Sequence, residues 1–121
     1  MAEEISANTS HFKDYKYVID LKDIQISCLI LKMTDSYSIW LGTSSDISLY
    51  NLYVSHGNYS DHPQATLLYS QVDDDDTGDR FARLLAKKFR KVFFVSVSIR
   101  IDQNQQKELF EQLHKIVLAI D

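Results

Sequence analysis

The chain has 121 residues, 45% of them hydrophobic and 25% charged, with a formal net charge of -4. That length allows one domain with a substantial core but not two, and the composition is that of an ordinary soluble globular protein. The single cysteine, Cys28 inside an apolar run, excludes a disulfide scaffold and a cysteine-based zinc site. The acidic balance argues against nucleic acid as the main partner.

Residues 1–10 are polar and acidic, the reverse of a signal peptide, and no apolar run reaches membrane-spanning length. With its lone buried thiol suited to a reducing compartment, the chain is expected in the cytoplasm or nucleus, without a membrane partner. Residues 1–13 carry no clear periodicity and are expected to be a disordered tail before one domain at 14–121. Residues 15–21 alternate Tyr15, Tyr17 and Ile19 against Lys16, Val18 and Asp20, the period of a strand. Residues 24–32 (IQISCLILK) place Ile24, Ile26, Cys28 and Ile30 on one face. The polar step Thr34-Asp35-Ser36 is turn chemistry, and residues 37–43 alternate Tyr37, Ile39 and Leu41 against Ser38, Trp40 and Gly42. These two strands should form a hairpin.

Shorter strands are expected at 49–55 and 65–70, with a loop at 56–64 between them. The acidic connection 71–76 leads to a helix that Asp76 or Thr77 can cap, its negative charges facing the positive end of the helix dipole. Within residues 80–91 (RFARLLAKKFRK), Phe81, Leu84, Leu85 and Lys88 form one helical stripe. Arg80, Arg83, Lys87 and Lys91 form another. Residues 92–101 return to a period of two, with Phe93, Val95, Val97, Ile99 and Ile101 opposite Val92, Phe94, Ser96, Ser98 and Arg100. A final helix, capped by Asp102 or Asn104, carries the apolar stripe Leu109, Phe110, Leu113, Ile116, Val117 and Ile120. The order of elements predicts an α+β domain: an antiparallel β-sheet of about five to six strands with two α-helices packed on one face.

Such a sheet is roughly 25–29 Å wide at the usual strand spacing of about 4.8 Å. Two helices about 10 Å across cover only one of its faces. The alternation puts Trp40 and Phe94 on a common face with Ser38, Gly42, Ser96 and Ser98. That face is either solvated, as antiparallel sheets allow, or covered by a second chain. A partner would take up about 800 Å² on each side, with Trp40 and Phe94 as anchors. Both faces of the 92–101 strand hold apolar residues, so the pattern leaves open which one meets the helices.

Other chemistry finds little purchase. Asp73, Asp75, Thr77 and Gly78 match the first half of a calcium loop, but its twelfth position, where a bidentate Glu belongs, is Leu84. Asn58-Tyr59-Ser60 matches a glycosylation sequon, which without secretion is only loop sequence. His11, His56, His62 and His114 lack paired-ligand spacing, and neither a nucleophile elbow nor a glycine-rich phosphate loop occurs. No metal, cofactor or catalytic residue is expected. The basic stripe is either the wet side of a helix or a docking surface for an acidic protein.

Residues 31–42 (LKMTDSYSIWLG) and 83–96 (RLLAKKFRKVFFVS) resemble the proteasome assembly chaperone 4 family. The first segment carries Met33, Thr34, Asp35 and Ser36 at a turn, then Trp40 and Gly42 on a strand. The second is preceded by Thr77 and Gly78 at a helix start and carries Leu85, Ala86 and Lys88, then Phe94, Val95 and Ser96. The match runs from about residue 24 to 99 in the same element order. The resemblance implies a non-enzymatic chaperone that pairs with a proteasome assembly chaperone 3-like subunit and assists assembly of the 20S proteasome α-ring. On that footing Trp40, Val92, Phe94, Ser96 and Ser98 are the expected partner interface, and the sheet face opposite the helices serves dimerisation. Arg80, Arg83 and Lys87 are the expected contacts to proteasome α-subunits. The alternatives are a stand-alone interaction adaptor unrelated to the proteasome, and a small enzyme using the loop that holds His56 and His62.

Overall fold

The structure, a computed structural model, describes residues 12–57, 61–71 and 76–121. The chain runs β1 (Lys13–Leu21), β2 (Ile24–Lys32), β3 (Ser36–Gly42), β4 (Asn51–His56), β5 (Ala65–Ser70), α1 (Thr77–Phe89), β6 (Val92–Val97) and α2 (Gln103–Ile120). The six strands form one sheet in the order β1-β2-β3-β6-β4-β5. The segment expected as a tail lies outside the described residues up to residue 11, and β1 begins at Lys13.

This is the expected α+β architecture, with one pairing that the element order does not reveal. Neighbouring strands are antiparallel except at the centre, where β3 and β6 run parallel with Ile39 opposite Val95 and Tyr37 opposite Phe93. The cause is the route of the chain. β4 opposes both β5 and β6, so β5 and β6 point the same way, and α1 carries the chain between them over β4. A helix is the usual means of such a parallel crossover. β6 thereby enters the gap between β3 and β4.

Both helices lie on one face. α1 covers β4 and β6, and α2 lies against β1. Ile26, Cys28, Ile39, Leu41, Phe93 and Val95 point up beneath Phe81, Leu85, Leu109, Leu113 and Val117, all at most 1% exposed. Burying each such large side chain contributes about 1.5–3 kcal/mol. The same burial pushes the Cys28 thiol up to about 12, so the thiolate that would make it reactive is suppressed.

The buried stripe of α1 differs from the expected one. Phe81, Ala82, Leu85 and Ala86 are buried, whereas Leu84 is 44% exposed and Lys88 faces solvent. The small alanines let α1 sit close to the sheet, and Gly57 completes that approach. A methyl at Gly57 would run into the Ala86 carbonyl oxygen. α2 starts with a reciprocal cap: the Gln105 backbone N–H donates to Asp102 Oδ1 at 2.7 Å, and the Asp102 N–H donates to Gln105 Oε1 at 3.0 Å. β6 ends at Val97, earlier than the alternation suggests, and 98–101 form the connection to α2.

Candidate protein-interaction surfaces

The register fixes what the sheet presents away from the helices. One row across it reads Lys16, Leu29, Trp40 and Ser96, and the next Asp14, Leu31, Ser38, Phe94 and Val54. Trp40 and Phe94 therefore share the face opposite both helices. Val18 is 58% exposed and Leu29 43% exposed there, with Leu31, Trp40, Val92 and Phe94 half-buried. A shallow depression of about 270 Å³ opens among Asp14, Lys16, Leu29, Leu31, Ser38 and Trp40.

The 43–50 connection shapes one end of this face. The Trp40 indole lies across Gly42, where a Cβ would collide with the ring. Its Nε1–H donates to the Ser48 carbonyl oxygen at 3.1 Å. Ser48 in turn donates from Oγ to Asp46 Oδ1 at 2.5 Å and from its backbone N–H at 3.1 Å, which holds the Asp46 carboxyl below its ordinary range. Within the chain alone, Ser96 and Ser98 are 1% and 2% exposed. Their hydroxyls lie 2.8 Å apart, and Ser98 Oγ accepts from the Tyr50 N–H at 3.0 Å. The two serines hold the 43–50 connection against the sheet, and the exposed apolar part of the face falls to Trp40, Val92 and Phe94 with Leu29, Leu31 and Val18.

The helix layer offers a second surface. Arg80 Nη2 donates to Gln106 Oε1 across the two helices, and Arg83 Nε pairs with Asp79 Oδ1 at 2.7 Å one turn back. Asp79 sits just outside the run of basic residues and neutralises one of them. Lys91 Nζ reaches Asp121 Oδ1 at 2.7 Å, while Lys87 and Lys88 stand exposed. The basic stripe is thus partly engaged by the fold itself.

Periodicity gives no warning of the space between the helices. Phe81 meets Phe110 edge-on at 5.1 Å, and Phe89 lies 5.5 Å from the His114 ring. Beside these contacts two open depressions, about 540 and 450 Å³, share Leu84 and Phe110. The signal for it is Leu84 itself, an apolar residue too many once Ala82 and Ala86 are counted into the core.

Among the described residues no group of three or more His, Cys, Asp or Glu could hold a metal ion. Asp73 and Asp75 of the calcium-loop pattern and the 58–60 sequon lie outside the described residues. No described helix is long and apolar enough to cross a membrane.

The same elements recur in known proteins. The family model for proteasome assembly chaperone 4 matches residues 25–99, from β2 through β6. The fold resembles a chain from the crystal structure of a novel chaperone complex for yeast 20S proteasome assembly. The TM-score is 0.74 and the identity 13%, over 91% of this chain and 98% of that one. No curated protein matches the chain. The segment matched by the family model spans most of the domain and includes both stretches whose motifs point the same way. The chain belongs to the proteasome assembly chaperone 4 family.

Proposed function

We propose that this protein acts without catalysis, as half of a heterodimer with a proteasome assembly chaperone 3-like subunit that promotes formation of the 20S proteasome α-ring. One observation carries the pairing: the sheet face opposite the helices has Leu29, Trp40 and Phe94 in adjacent rows, with neither described helix over them. Trp and Phe are among the side chains most enriched at protein interfaces, and a six-stranded face is wide enough for the roughly 800 Å² a stable partner needs. Family membership supports the assembly role.

The helix layer then faces the proteasome α-subunits, with Arg80, Arg83 and Lys87 as contacts. Charge complementarity there would set orientation and encounter rate. Both the cytoplasm and the nucleus suit this role. The direct test is co-purification of the assembled pair with individual α-subunits. The wild type retains an α-subunit, and a variant with Arg80, Arg83 and Lys87 reversed to Glu retains the chaperone partner but loses the α-subunit. An unchanged α-subunit yield refutes the helix-layer contact. Recovery of another complex without any α-subunit favours the stand-alone adaptor.

A further inference from the structure

α1 and α2 run side by side in the same direction: Phe81 meets Phe110, and Phe89, farther along α1, meets His114, farther along α2. Between these two pairs of rings the surface stays open. Its floor is Leu84 and Phe110. Its rims carry Arg80, Lys87 and Lys88 from α1 and Lys107 from α2, against one acidic lining residue, Glu111. This local excess of positive charge stands out in a chain of net charge -4.

One end of the groove is aromatic. His114 lines the groove, its ring stacked on Phe110 and packed against Phe89. Apolar floor, aromatic end and cationic rims together describe a complement: a chain that brings a large apolar side chain with carboxylates beside it.

We propose that the groove between α1 and α2 is a docking site for a short acidic peptide segment of a partner protein, with one bulky apolar residue seated on Leu84 and Phe110. Its carboxylates lie along Lys87, Lys88 and Lys107. The proposal deepens the reading of the helix layer as a contact surface and rests on that reading only for the partner's identity. Binding of an isolated peptide is independent of it.

The test uses the full chain and synthetic acidic peptides, rich in Asp and Glu, in which one Leu or Phe is moved along the sequence. Controls replace every Asp and Glu by Asn and Gln. Backbone amide resonances are followed on titration. The expected result is saturable shifts around Leu84, Lys88, Phe110 and His114, at least ~10-fold weaker binding of the neutral controls, and a similar loss in Leu84→Asp and in the double variant K88E/K107E. Leu84 and Lys88 are exposed, so these variants keep the fold, and their unchanged thermal midpoints verify it. Absence of binding by every acidic peptide overturns the proposal, as do shifts confined to the sheet face or equal binding of the neutral controls. Tighter binding of a single-stranded oligonucleotide at the same residues overturns the assignment to a protein segment. Peptide binding without any α-subunit binding by the chaperone pair would refute only the partner's identity.

Discussion

The Tyr37 hydroxyl donates to Asp121 Oδ1 at 2.6 Å, joining the middle of the sheet to the end of α2. Lys91 Nζ reaches the same oxygen at 2.7 Å, and Lys32 Nζ donates to the Ile120 carbonyl oxygen at 2.5 Å. Strands β2 and β3, and the residue leading into β6, are thereby tied to one helix end. Burial raises the Tyr37 hydroxyl above its usual pKa, with Asp121 adding to the effect. Burial also opposes ionisation of Asp121, but the bonds from Lys91 and Tyr37 outweigh it and hold the carboxyl below its ordinary range.

A pH dependence follows with a definite sign. Because the folded pKa of Asp121 lies below its unfolded value of about 3.9, its contribution is full above that value and lost as pH falls through the folded pKa. Asp121→Ala should therefore cost about 1 kcal/mol near neutral pH. Urea titrations of both proteins at neutral and strongly acid pH check this, and the difference between them should shrink in acid.

Gly57 and Ala86 predict a steric result. Gly57→Ala puts a methyl against a helix carbonyl that belongs to the backbone and cannot rotate away. Overpacking of this kind costs about 2 kcal/mol. Denaturant unfolding should show the loss, and the variant should exchange its amides faster at the adjoining ends of β4 and α1.

Arg90 ends α1 in the left-handed region at φ 58°, with its N–H donating to the Ala86 carbonyl oxygen at 2.9 Å. Glycine is the residue that adopts this cap without strain. The Arg90 guanidinium pairs with Asp61 at 2.6 Å on the surface, an interaction of small net worth. Arg90→Gly should thus be neutral or stabilising by up to about 1 kcal/mol, whereas Arg90→Val should cost about 1–2 kcal/mol. In thermal melts the midpoint falls for Arg90→Val and holds or rises for Arg90→Gly if the cap governs.

Much of this architecture can be read in the chain because strand alternation is a local property. Residues 24–32 and 65–70 emerge as strands with the bounds that the pattern suggests, and α2 buries Leu109, Leu113 and Val117 of its stripe. What escapes is non-local or small. The parallel pairing of β3 and β6 depends on where α1 delivers the chain, and β6 is apolar on both faces. Ala82 and Ala86 weigh little in a hydrophobic pattern, yet they face the sheet, so Leu84 reads as core when it is the floor of a groove. Ser96 and Ser98 alternate in phase with Phe94, but they are buried on that face, hydrogen-bonded to each other and, through Ser98, to the 43–50 connection. The Arg83 pairing with Asp79 is within reach of an i, i+4 reading that begins one residue earlier.

The face carrying Trp40 and Phe94 is the centre of the account, and Phe94→Asp is its sharpest probe. Sedimentation velocity of the chain mixed with the proposed chaperone 3-like partner should show one heterodimer for the wild type. The same run should show two separate species for Phe94→Asp and for Leu29→Asp, with circular dichroism confirming that both variants fold. Undiminished heterodimer in both folded variants would contradict the account.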